Sequence, residues 1–162
     1  MAISRIKKGE IVDKLTKALK GAKSLVFVNF HGLKVSEASA MRRALKTEGV
    51  SYAVTKKSLT KRVLEGEKFE GTQPELTGEL AVAWGEDLIA PARGVHNFQK
   101  KFPEGLKILG GVFEGKYLDK SAMEEIALIP TLEVLRGKFV NIINSPIQRF
   151  AIGLNEIAKI RQ

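Results

Sequence analysis

The chain has 162 residues, 44% apolar and 28% charged, with 27 Lys and Arg against 18 Asp and Glu for a net charge of +9. It contains no cysteine, which excludes disulfides, thiolate zinc sites and a cysteine nucleophile. No apolar run reaches the roughly 18–20 residues that span a bilayer, and "MAISRIKKGE" lacks a secretory core, so a cytoplasmic protein without a membrane partner is expected.

The first apolar stripe, Ile11, Val12, Leu15, Leu19 and Ala22, has helical spacing and ends near Gly21. "SLVFVNF", 24–30, is nearly continuous in apolar residues and predicts a buried strand. After the "HGLKV" loop, Ser36 is placed to cap a helix through about Glu48, with Ala38, Met41 and Leu45 inward and Gly49 as the stop. "VSYAV", 50–54, predicts a second strand, and Thr55 a cap for a short helix over 56–65. Pro74 and Gly78 punctuate a loop. "ELAVAW", 79–84, predicts a third strand, and 87–101 a helix with Pro91 in its first turns and Leu88, Val95 and Phe98 inward. "LKILGGVF", 106–113, predicts a fourth strand, its glycines marking a strand end and turn. A small helix, "DKSAMEEIALI", stops at Pro130. This order predicts an α/β (α+β) fold: a four-stranded sheet with helices on one face, in a ferredoxin-like split βαβ arrangement, plus an extended C-terminal helical tail. The expected divisions are an α/β domain over 1–116, a linker with a short helix over 117–136, and a tail over 137–162.

Charge is placed unevenly. Residues 1–65 hold 15 basic against 5 acidic side chains, 66–135 hold 7 against 12, and 136–162 hold 5 against 1. A basic part joined to an acidic one points to a polyanion-binding face, the plainer alternative being ordinary solvated lysines. In "TKKSLTKRV", Lys56 and Lys57 fall in the first turn of a helix, where cations oppose the macrodipole by about 0.3–1 kcal/mol each. A bound phosphate reverses that penalty. Lys57, Ser58, Lys61 and Arg62 share one broad face, with Leu59 and Val63 opposite. Arg5, Lys7 and Lys8 stand at the start of the first helix. His31 can stack or donate, and Gly32 either admits RNA backbone or is a plain turn glycine. Enzyme motifs are missing: there is no GxSxG, HExxH or GxGxxG, and "TKKS" lacks the glycine-rich loop of a phosphate-binding strand–helix turn. His96, beside Val95 and Phe98, reads as a surface or boundary histidine.

The tail repeats itself at eleven residues. Phe139, Val140 and Ile143 recur as Phe150, Ala151 and Leu154, the second group extended by Ile157 and Ala158. Eleven residues make three turns at 3.67 per turn, so the two groups fall on almost the same helical face. At about 1.5 Å rise per residue they stand about 16 Å apart, a spacing that suits two identical partners side by side. Pro146 predicts a kink or local break between them. The alternative is an amphipathic helix folded against its own domain.

Several stretches together, "SRIKKGEIVDKL", "SLVFVNFHGLKVSEASAMRRALKTEGVSYAVTKKSLTKR", "LIPTLEVLRGKFVNIINSPIQ" and "LNEIAKI", resemble bacterial large-subunit ribosomal protein ten, the stalk-base protein. The middle, 66–115, matches by pattern alone. The resemblance implies a structural protein with no enzymatic activity, cofactor or metal. It implies an N-terminal α/β domain on large-subunit rRNA at the GTPase-associated region, with ribosomal protein eleven as neighbour. It also implies a C-terminal helix carrying dimers of the acidic stalk protein, which recruit translational GTPases. The RNA-contacting role carries over to Arg5, Lys7, Lys8, His31, Gly32, Lys56, Lys57 and Ser58, and the stalk-binding role to the repeated tail residues. Where this family usually has Asn-Thr, the chain has Lys57-Ser58, and a lysine only donates, which favours a phosphate contact. The competing reading is a free-standing RNA-binding ribosome-assembly factor of related fold, which would have no use for the tail repeat.

Overall fold

The computed structural model describes residues 9, 12, 13, 15–17, 19, 21–67 and 69–160. The expected sites Arg5, Lys7 and Lys8, and Ile11 of the first stripe, lie outside the described residues. The chain divides into two compact units, 1–129 and 130–162.

The first unit is built on strands β1 (Ser24–Phe30), β2 (Ser51–Val54), β3 (Leu80–Gly85), β4 (Leu106–Phe113) and β5 (Lys116–Asp119). They form one sheet in the order β2-β3-β1-β4-β5, every neighbouring pair antiparallel. Helix α1 (Val35–Thr47) links β1 to β2 across β3, and helix α3 (Ala90–Lys101) links β3 to β4 across β1. These two crossovers give the first four strands the expected ferredoxin-like order. Helix α2 (Lys57–Gly66) is added between β2 and β3, and α4 (Lys120–Ala127) follows β5.

The sheet has five strands where the sequence predicted four. The fifth is the return arm of a hairpin on β4, pairing Phe113 with Lys116. Its two-residue turn has φ +49° at Glu114 and +80° at Gly115. Both central residues of a type I′ turn need positive φ, and that turn's twist matches the strands it joins.

Helices cover both faces of the sheet, where the sequence predicted one. Alternate residues of β1 point to opposite sides. Val26 and Val28 join Met41 and Leu45 of α1, Ala92 and Val95 of α3 and Met123 of α4. Leu25 and Phe27 join Val63 and Leu64 of α2, Leu76, and Leu15 and Leu19 of an N-terminal stretch whose described residues between 9 and 19 are helical. This two-sided burial is why β1 carries almost no polar residue. Truncating Phe27 to Ala, with its side chain wholly enclosed, would cost about 3–5 kcal/mol.

Local signals fared unequally. Helix α1 closes after Thr47 as expected: Val50 N–H donates to Leu45 O at 2.9 Å and Gly49 N–H to Lys46 O at 3.1 Å, the paired bonds of a Schellman end. Ser36 does not cap it. The helix starts at Val35, and Lys34 N–H donates to Glu37 Oε2 at 3.2 Å. Gly110 and Gly111 lie inside β4, not at its end. A Cβ on Gly111 would collide with Met123 Cε and with Leu25 O, so its bare backbone lets α4 seat on the sheet.

The second unit is helix α5, Leu132–Ile160, 29 residues long. Thr131 Oγ1 accepts from Val134 N–H at 3.5 Å at its start. The helix runs through Pro146 without the break considered from the sequence.

Candidate nucleic-acid interface and tail helix

The antiparallel order sends the ends of β1 and β2 and the starts of β3 and β4 to one end of the sheet. Phe30 N–H donates to Glu79 O at 3.2 Å, Thr55 N–H to Leu80 O at 3.0 Å, and His31 N–H to Gly105 O at 2.9 Å. Two segments singled out in the sequence, His31-Gly32 and Lys56-Lys57-Ser58, therefore come to the same sheet end with the first residues of β3 between them.

Each segment lines a cleft. The larger, about 810 Å³, is formed by Phe30, Val54–Leu59 and Gly78–Leu80. The smaller, about 460 Å³, is formed by His31–Leu33, Glu37 and Lys101–Gly105. Phe30 of one cleft and His31 of the other are consecutive at the end of β1. Phe30, Val54, Glu79 and Lys101 belong to these clefts and were missed as site residues. Phe30 and Val54 are the last residues of β1 and β2, and only the tertiary fold brings them to a cleft. His96 is absent from the lining of both clefts.

Helix α2 does not begin as predicted. Its N-cap is Lys56, and no side chain caps it. The Thr55 hydroxyl is 2.8 Å from that of Thr60, and the Thr60 hydroxyl donates to Lys56 O at 3.3 Å. No acid stands in the first turn. The helix start therefore offers uncapped N–H groups, the positive dipole end and Lys56 and Lys57 together. Lys56, Ser58, Lys61 and Arg62 are exposed and Lys57 is half-buried, while Val63 is buried. Gly32 has φ +67°, and a Cβ there would meet nothing within 4 Å, so turn geometry alone accounts for a glycine at this position.

Three acids gather at the opposite end of the sheet, one of them 3.9 Å from Arg93. Glu48, Glu86 and Asp87 line a cleft of about 570 Å³ with Trp84.

Helix α5 has no buried residue. Phe139 is 65% exposed and Phe150 69%. Val140, Ile143, Ala151, Leu154, Ile157 and Ala158 are exposed as well. Ile147 is exposed on the same face, and so are Ile142, Ile152 and Ile160, which lie off the repeated stripe. Among the described residues no helix is long and apolar enough to cross a membrane.

Residues 4–100, more than half of the chain, match the family model described as ribosomal protein L10. The match extends through part of the middle, where the sequence resemblance was one of pattern. The chain is 36% identical to large ribosomal subunit protein uL10 of Rhodospirillum rubrum over 149 residues, 92% of this chain and 86% of that one. It is 33% identical to the protein of that name from Acidovorax sp. strain JS42, covering 98% and 94% of the two chains. It is 34% identical to that of Bacillus cereus strain B4264, covering 93% and 91%. The order of elements, the stretches quoted above and these near full-length similarities agree, and the chain belongs to the ribosomal protein L10 (uL10) family.

Proposed function

We propose that this chain sits on large-subunit rRNA through the lysine-bearing end of its sheet and carries two dimers of the acidic stalk protein on α5. As a member of its family it is a large ribosomal subunit protein of the cytoplasmic ribosome, a structural component and not an enzyme. In this reading rRNA of the GTPase-associated region meets His31, Gly32, Lys56, Lys57, Ser58, Lys61 and Arg62, with Arg5, Lys7 and Lys8 contributing. Ribosomal protein eleven is the neighbour, and translational GTPases are recruited indirectly by the stalk chains.

The observation that carries the reading is α5, a 29-residue helix with no buried residue and two equivalent apolar groups. A helix apolar on most sides is stable in water when something covers it. Anchors at i, i+4 and the next turns suit a partner that takes the helix into a groove. The uncapped, lysine-rich start of α2 supports the RNA half of the reading. The tail also sets it above a free-standing assembly factor, which would leave that apolar surface unused.

Native mass spectrometry of the complex with the acidic stalk protein tests it. Four stalk chains should bind the full chain, two should remain after removal of 148–162, and none after removal of 137–162. Binding to rRNA should persist in both truncations. A complex holding one dimer or three overturns the pairing of one repeat with one dimer. Loss of rRNA binding on truncation overturns the division of tasks.

A further inference from the structure

The larger cleft differs from a bare cationic surface. Its lining includes Phe30, Val54 and Leu59 as well as Lys56 and Lys57. Val54 is 47% exposed on an edge strand. A duplex backbone presents phosphate and ribose and leaves such an apolar floor wet. An unpaired nucleotide presents a flat apolar base joined to a phosphate, which matches apolar floor and lysine rim at once. The volume, about 810 Å³, lies within the roughly 300–1,000 Å³ range of small-ligand sites. Glu79 also lines the cleft. Its carboxylate repels a phosphate beside it but accepts a hydrogen bond from an exocyclic amino group of a base.

We infer that this cleft seats one unpaired nucleotide of the rRNA, its base against Phe30, Val54 and Leu59 and its phosphate at Lys56 and Lys57. This deepens the rRNA-binding reading above and rests on it. Glu79 on the base side favours adenine, cytosine or guanine over uracil, which has no amino group. Such a seat selects a fold of RNA that turns a base outward, where lysines alone would accept any phosphate array.

Large-subunit rRNA transcript bound to the full chain is the probe, with dimethyl sulfate and a carbodiimide reporting base accessibility. The wild-type chain should protect one unpaired base. Val54→Asn should expose that base again and weaken binding by about 3- to 10-fold. The salt slope should stay unchanged, because no phosphate contact is lost. Val54→Thr, nearly isosteric, gives the same test with a smaller effect should the asparagine variant fold poorly. Salt-dependent binding with no unpaired base protected, or protection that both variants retain, overturns the nucleotide seat and leaves the rRNA reading standing. Failure of the wild-type chain to bind rRNA in a salt-dependent way overturns both.

Discussion

The hydroxyls of Thr55 and Thr60 stand 2.8 Å apart. Thr55, the residue placed to cap α2, instead bonds one turn into the helix, and the cap position falls to Lys56. A helix with this start is less stable than it could be. Replacing Lys56 with Asp should add a capping acceptor and a favourable charge at the dipole's positive end. Stability should rise by about 0.5–2 kcal/mol, read from urea unfolding. Affinity for rRNA should fall in the same variant. Equal or lower stability would remove the argument that this start is held open for an anion.

Lys57 and Lys61 lie on α2, and Lys116 and Lys120 lie at the ends of β5 and α4. Lys116 is 3.3 Å from Glu70, and Lys120 is 4.0 Å from Glu124. Changing Lys57 and Lys61 together to Glu should weaken rRNA binding and flatten its salt dependence by about 1.4–1.8 in the log–log slope, two contacts at about 0.7–0.9 each. The same change at Lys116 and Lys120 should leave the slope in place. Filter binding across a salt series distinguishes the two, and equal slopes for both variants would locate the contact elsewhere.

Gly111→Ala tests the packing of α4. The added methyl meets Met123 Cε and the carbonyl of Leu25, and a backbone atom cannot swing aside as a side chain can. A loss of about 1–3 kcal/mol is expected, measured by thermal or urea unfolding. Gly137→Ala, on α5 with nothing within 4 Å of its Cβ position, should be neutral or slightly stabilising by contrast.

Phe139→Ala and Phe150→Ala should each leave the stability of the free chain within about 0.5 kcal/mol, because both rings are exposed. Each should remove one stalk dimer in native mass spectra. A marked drop in the unfolding midpoint of the isolated chain would show that α5 packs on its own domain.

Burial raises Tyr52 above its ordinary pKa of 10.0, partly offset by the Arg42 guanidinium, which lies 5.7 Å from the ring centre. The unfolded chain then ionises this phenol at lower pH than the folded one. The stabilisation is fully present below pH 10 and is lost as pH rises through the folded value. Unfolding midpoints should hold up to about pH 10 and fall as pH rises above it. Tyr52→Phe should flatten that decline but not abolish it, since burial also raises Tyr117. An identical alkaline decline in Tyr52→Phe would show that Tyr52 has no part in it.

Periodicity and punctuation in the sequence determined the order of elements through β4, the stop of α1 at Gly49 and the repeat of the tail, because each depends on residues within a few turns of one another. The fourth strand, Leu106–Phe113, matches the sequence expectation residue for residue. The tail stripe is equally local, since a lone helix sets its own faces. Strand β5 escaped because "KYLD" is too short to show alternation, and only pairing with β4 makes it a strand. The caps at Ser36 and Thr55 failed for a similar reason. A hydroxyl near a helix start has several acceptors and donors in reach, and neighbours decide among them. The clefts lay furthest from view. Phe30 and Lys57 are far apart in the chain, and it is the hydrogen bonds of β3 to both β1 and β2 that bring them to one rim. Which residues carry charge is a property of the sequence; which of them face one anion is decided by strand order.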